Sequence, residues 1–428
     1  MGINDLIVLF MMGFMLIGAL DRILVQFGGA PTVLKPIGLG RLGKAIEGAG
    51  AQFEEGFMTM GILALAIVGL IAGTPVIASL MGPVIIPIYK FFGASPAGFA
   101  ATVLCNDTGG YFLAKELATS NGVIDYGAWM YNGLIVGSML GPVIMYTIPV
   151  GLGLIDAKHH DVFAQGILLG LVTIPLGCVA GGITGIVTRP VAADGTAIIF
   201  SYRLIFMDLI PVVIFSATIA FGLWKFQKFM IRGFLIYAKI LVALITVLMA
   251  AAVLQAMTGI VTIPGLDPII GSPGDRPGID IRSLELCGVI AIMLCGAYPM
   301  VFLLSRWFRK PLVGAGQKLG INQSSAAGLL AILSNFFPSY AMLDEMDHRG
   351  KIINIAFSVS ASFTLGDHLA FTASQQRGMI IAMVIGKLVG GISAVMLALV
   401  VLRKQTNRDA YGALPAGAMA PAKVPRNG

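Results

Sequence analysis

The chain is organised by long apolar runs separated by short polar loops. Runs of about 20 apolar residues, the length needed to cross a bilayer, lie near 4–25, 57–80, 128–152, 163–188, 202–224, 233–258, 284–308, 352–373 and 379–402. The pattern predicts about nine spanning helices. Two further apolar stretches are interrupted in the middle. Ser95 to Leu117 carries Cys105-Asn106-Asp107-Thr108-Gly109-Gly110 at its centre. Asn322 to Met346 carries Ser334-Asn335-Phe336-Phe337-Pro338-Ser339. Each reads as a re-entrant hairpin of two half-helices. The expected fold class is an all-α integral membrane protein.

Basic residues gather in loops that such hairpins place on one side. They are Lys225, Lys228 and Arg232; Arg306, Arg309, Lys310 and Lys318; Arg349 and Lys351; Arg403, Lys404 and Arg408; and Lys35, Arg41 and Lys44. The positive-inside rule makes that side cytoplasmic. The N-terminus is then outside and the C-terminus inside. Trp129, Trp224 and Trp307 fall near helix ends, as an aromatic belt requires. Asn4 to Leu24 lacks a small-residue cleavage site, so the first helix is expected to stay.

The chain carries a weak internal repeat. Leu104-Cys105-Asn106, Tyr111 and Glu116 have the spacing of Leu333-Ser334-Asn335, Tyr340 and Glu345. Gly73-Thr74-Pro75-Val76 resembles Gly296-Ala297-Tyr298-Pro299-Met300, and Leu140-Gly141 resembles Leu365-Gly366. The loop charges make the two halves inverted, an arrangement of many secondary transporters with a midplane site. The expected divisions are a first repeat over 1–190, a linker helix over 191–232, a second repeat over 233–402 and a disordered cytoplasmic tail over 403–428.

Composition agrees. Only 11% of residues are charged, against about 25% in soluble domains, so most of the surface must face lipid. The net charge of +7 follows from the topology loops, and no nucleic-acid partner is expected. The four cysteines lie in apolar stretches without metal-ligand or disulfide spacing. There is no Walker or H-E-x-x-H motif. An ATP-driven pump, a catalytic constellation, a metal and a cofactor are therefore not expected. Whether copies assemble into a homo-oligomer is left open.

Ionisable groups at membrane depth cost about 2.5–3.5 kcal/mol each even on the mildest scale, so each needs an account. Asp107, between Asn106 and Thr108 at the first break, is placed to bind a cation; capping of the second half-helix is the alternative. Asn335 holds the equivalent place in the second hairpin as a polar partner or a cap. Asp367 and His368 follow a polar stripe of Ser358, Ser360, Ser362 and Thr364. Asp367 is expected to face a cavity, and His368 to be a hydrogen-bonded structural histidine rather than a proton relay. Glu54 and Glu55 open the second helix, either to suit its dipole or as a cation vestibule. Asp208, on the linker helix with Pro211, is read as structural.

Several segments are distinctive as a set: Ile46-Glu47-Gly48-Ala49-Gly50-Ala51-Gln52-Phe53-Glu54-Glu55-Gly56-Phe57, Gly82-Pro83-Val84-Ile85-Ile86-Pro87, Phe112-Leu113-Ala114-Lys115-Glu116-Leu117-Ala118, Ile263-Pro264-Gly265-Leu266-Asp267-Pro268-Ile269, Gly296-Ala297-Tyr298-Pro299-Met300-Val301 and Gly366-Asp367-His368-Leu369. Together they resemble the bacterial ethanolamine utilisation membrane protein family, the ethanolamine permeases, from Gly2 to about Leu402. Asp107 matches an acid of that pattern. Asp208 stands where the family carries asparagine, and the tail departs freely. The resemblance assigns no binding residues. It implies an inner-membrane permease for ethanolamine, with carboxylates for the ammonium and Asn, Ser and Thr for the hydroxyl. The competing readings are an ion-coupled transporter of another small amine or polar solute, and a membrane anchor or sensor for an ethanolamine-utilisation assembly; a membrane-bound enzyme ranks below both.

Overall fold

A computed structural model describes residues 2–102, 110–271, 281–308, 311, 314, 316 and 318–412. The molecule is all-α apart from one two-stranded ribbon, in which Thr119–Ser120 pairs antiparallel with Val123–Ile124. Its Asn121-Gly122 turn has positive φ at both positions, as a tight twisted hairpin demands. Among the described residues, eight helices are long and apolar enough to cross a membrane. The chain is a multi-pass membrane protein.

The helices depart from the apolar runs in informative ways. The second continues from Ala49 to Phe91 through Pro75, Pro83 and Pro87. At 43 residues it is about 65 Å long, twice the hydrocarbon thickness. The apolar run suggests a span of 57–80, about the length that crosses a bilayer, although proline lacks the donor that an interior helical position uses. In lipid, neighbouring helices make such prolines tolerable. The last helix, Ile380–Gly412, runs beyond the expected boundary at Arg403. The stretch from Arg403 to Gly412 contains no proline and several good helix formers.

The largest departure lies at 352–373, expected as one span. The chain forms His348–Ala361, breaks, and restarts as Asp367–Gln375. The break has a cause: Phe363 takes φ +63, a left-handed conformation that costs a non-glycine residue about 1–2 kcal/mol. Phe336 and His368 hold its ring from two sides, at centroid distances of 5.6 and 5.5 Å.

The Asn322–Asp347 segment is a hairpin. The Asn322 N–H donates to Asp347 Oδ1 at 2.9 Å, and its side-chain amide donates to the Glu345 carbonyl at 2.8 Å, so the two ends meet. The first leg, Gln323–Ser334, has 12 residues, or about 18 Å, roughly half a bilayer. The other interrupted stretch is not one straight helix either. A Cβ on Gly110 would lie 3.0 Å from the Ala100 carbonyl oxygen, whereas ten residues of straight helix separate Cα atoms by about 15 Å.

Glycine sets the packing. A Cβ on Gly69 would sit 2.0 Å from the Ile245 carbonyl oxygen, and one on Gly170 2.4 Å from Val359 Cβ. Without a hydrophobic drive between helices in lipid, such backbone approach supplies the van der Waals contact. The most enclosed span is Tyr126–Leu154, which contains two π-helical segments, Tyr131–Val136 and Val143–Thr147.

Candidate functional site

Two discontinuities meet at the centre of the candidate site. The Gln323–Ser334 helix stops at Asn335, which is extended at φ −160 and ψ 137. The other break spans residues 362–366. The hairpin satisfies part of its backbone: the Phe363 N–H donates to the Ile332 carbonyl at 3.2 Å, and the Leu365 N–H to Leu333 at 2.8 Å. Gly366 allows this approach, since a Cβ there would lie 2.4 Å from the Ser334 carbonyl oxygen.

Asp367 opens the helix that follows the break, where the helix dipole favours a negative charge. The Tyr298 hydroxyl donates to its Oδ1 at 2.9 Å. Tyr298 lies beside Pro299 in the Ser283–Trp307 helix. The same tyrosine borders a cavity of about 640 Å³ with Gln52, Glu55, Ser334, Asn335 and Pro338. The structure therefore brings Glu55 and Asn335 to one cavity and connects Asp367 to its wall through Tyr298. That volume is equivalent to roughly twenty waters, so the space is a vestibule rather than a tight mould for a small solute. Glu55 is the one carboxylate on that wall, where Arg306 also stands; Asp367 lies behind Tyr298, and the C-terminal end of a half-helix adds its negative pole.

Asn335 is also a cap, because its Oδ1 accepts from the Phe337 N–H at 2.9 Å; only its NH₂ remains to offer a ligand. His368 is buried and packs on Phe363. Glu54 pairs with Arg22 at 3.3 Å, both exposed, while Glu55 accepts from Gln52 at 3.3 Å. Asp208 is buried and ties segments together: it accepts from the Ser95 N–H at 2.7 Å and from Asn132 Nδ2 at 2.6 Å. Asn106, Asp107 and Thr108 lie outside the described residues.

A second cavity, of about 320 Å³, is walled by Thr74, Tyr111, Lys115, Glu116, Trp129 and Gln376, among others. On the Ala49–Phe91 helix, Glu55 borders the first cavity and Ile71 the second. They are sixteen residues apart, about 24 Å. On the Ser283–Trp307 helix and its N-cap, Tyr298 and Arg282 divide in the same way over the same spacing. The short Asp367–Gln375 helix runs between the two, with Asp367 bonded to the first wall and Ser374 and Gln375 in the second. The cavities occupy opposite ends of the molecule.

Sequence reasoning missed two residues. Tyr298 was visible only as part of a motif, since a tyrosine in an apolar run carries no cost signal. Lys387 was findable, because it is a cation within the apolar run 379–402. It is buried, and its Nζ donates to the Ser138 carbonyl of the most enclosed span. Among the described residues no cluster of three His, Cys, Asp or Glu side chains could hold a metal ion.

Residues 3–401 match the family described as the ethanolamine utilisation protein EutH. The chain belongs to that family. It is 51% identical over 404 residues to the "Probable ethanolamine permease EutH" of Salmonella typhimurium, covering 94% of this chain and 97% of that one. It is similar at 51% over 405 residues to the protein of the same name from Escherichia coli, covering 95% and 97%. The Listeria monocytogenes protein of that name is 42% identical over 409 residues, covering 96% and 97%. No solved structure matches.

Proposed function

We propose that this protein is a non-enzymatic inner-membrane permease that takes up ethanolamine as its ammonium form. Membership of the EutH family, with relatives named as probable ethanolamine permeases along nearly their whole length, carries the reading. The vestibule with Glu55 and the nearby Asp367 supports it, because a primary ammonium needs carboxylate partners and a hydroxyl needs amide or hydroxyl partners.

At neutral and acidic pH the amine is mostly protonated, as a lysine side chain is. The cation crosses lipid poorly, whereas the neutral amine leaks. A protein route therefore matters most in acid. An inside-negative potential favours cation entry by about 2.3 kcal/mol per 100 mV, enough to drive uptake without a coupled ion. The basic loops favour an outside N-terminus and a cytoplasmic C-terminus, which puts the Glu55 cavity on the cytoplasmic side. That each interrupted segment borders a different cavity supports the inverted-repeat reading of 1–190 and 233–402. Asn106, Asp107 and Thr108 remain proposed partners of the ligand, with Asn335, Asp367, His368 and Glu55.

Labelled ethanolamine uptake into proteoliposomes, at about pH 6 and about pH 9, tests the reading. The protein should raise flux well above empty liposomes at the lower pH and by a much smaller factor at the higher. Flux equal to empty liposomes at both would sink it.

A further inference from the structure

The second cavity has chemistry that the vestibule lacks. Aromatic faces converge on it. Tyr111 and Trp129 have ring centroids 4.8 Å apart, and Phe112, also in the wall, stands edge-on to Tyr111 at 5.1 Å. The indole N–H of Trp129 donates to the Tyr111 carbonyl at 2.9 Å, which fixes both rings relative to one another. Glu116 adds a carboxylate, Arg282 and Asp267 offset each other in the same wall as an ion pair at 2.9 Å, and the C-terminal end of the Asp367–Gln375 helix adds its negative pole. Aromatic faces, a carboxylate and a helix C-terminus together favour an organic ammonium.

One ammonium is already there. Lys115 Nζ lies 5.2 Å from the centroid of the Trp129 ring, inside the range of a cation–π contact. The tip of a lysine is a primary alkylammonium, the same group that protonated ethanolamine carries.

We infer that this cavity is a second station for a primary alkylammonium solute, about 24 Å from Glu55, and that the Lys115 side chain is its tethered competitor. The solute displaces the lysine from Trp129 and takes its place between the ring and Glu116. The displaced ammonium then lies beside the occupied site and lowers its affinity, so that the solute is not held too tightly to move on. This inference rests on the permease reading for its ligand but not for its test.

The test uses purified full-length protein with Trp224→Phe and Trp307→Phe, leaving Trp129 as the single fluorescent indole. Ethanolamine is titrated near neutral pH, with ethylene glycol as an uncharged control. The expected result is a saturable Trp129 response to ethanolamine and none to the diol. Lys115→Met keeps the length of the stem without the charge, and Lys115→Gln serves if the first variant folds poorly. Either should shift half-saturation to roughly two- to fivefold lower concentration. No saturable response, or an unchanged half-saturation in both variants, overturns the inference. Uptake by the same proteins in liposomes reads the other question separately. Flux without a Trp129 response overturns the station and leaves the permease standing. A charge-dependent, Lys115-sensitive response without flux does the reverse.

Discussion

The hydroxyl of Tyr298 donates a 2.9 Å hydrogen bond to the carboxylate of Asp367, linking the helix that walls the vestibule to the helix that begins at the break. A carboxylate there is stabilised by that donor and by the helix dipole, and on the proposed reading it pairs with the ammonium. Asp367→Asn keeps the volume and removes the charge. Uptake should fall at least tenfold while expression and detergent-phase thermal stability stay near wild type. Tyr298→Phe should cost less, because it removes one donor and leaves the charge. Wild-type flux and half-saturation in Asp367→Asn would move the ammonium partner elsewhere.

Glu55 is exposed at the vestibule, so on the proposed reading it acts through potential rather than by tight contact. Glu55→Gln should raise half-saturation a few-fold at low ionic strength and leave the maximal rate unchanged. The difference should shrink as salt approaches about 1 M, where screening length falls to about 3 Å. A salt-independent effect would mean direct coordination instead.

Gly366 lets the break touch the hairpin. With Gly366→Ala the new methyl would meet the Ser334 carbonyl oxygen at 2.4 Å, so one of the two discontinuities must shift. Uptake should drop severalfold, with a lowered melting temperature. Gly93→Ala, at a φ of +69 outside the site, is a control that strains the backbone but should spare half-saturation.

Asp208 is predicted to matter for stability and not for transport. Asp208→Ala would strip the Ser95 N–H and the Asn132 amide of an acceptor, at a cost of about 1–3 kcal/mol for each group left buried. Asp208→Asn should cost less, because Asn132 Oδ1 has no partner of its own and can accept from the new amide if the Asn132 side chain turns over. Thermal unfolding of the two variants should rank in that order. Uptake per folded molecule should be unchanged in both.

Outside the membrane, Asp344 links two loops through Lys158 at 2.7 Å and His159 at 2.8 Å. The Lys158 ammonium, then the His159 ring, hold its carboxyl down at about 2. A lowered folded-state value means that the contribution is complete above the unfolded value, about 3.9, and is lost as pH falls toward 2. Melting temperatures of wild type and Asp344→Asn should therefore differ by a constant amount from about pH 5 to 8 and converge below. Because the groups are exposed, the difference should be small. A difference that already vanishes near pH 6, far above the range of this carboxyl, would overturn the account.

Hydropathy along the chain determined that it lives in a membrane and marked most of its long apolar helices. It did so because the cost of a polar or charged group in hydrocarbon is large and local, so each departure from apolarity is visible one residue at a time. The same rule marked Asp367, and its strict application would have marked Lys387. Glu55 stood out by charge alone. What hydropathy did not contain is how separate segments meet. Ser362 to Gly366 read as part of one span because Phe363 is apolar, and its positive φ is imposed by the Phe336 ring and by carbonyls of a hairpin thirty residues earlier. The second helix read as a span of ordinary length, yet it continues through Pro83 and Pro87, where neighbouring helices make the lost backbone donors tolerable. Tyr298 became part of the site only when two helices distant in sequence placed its hydroxyl on Asp367. Transfer free energy is a property of single residues and can be read along a chain; a hydrogen bond across a break depends on two backbones arriving together, and that was decided by packing.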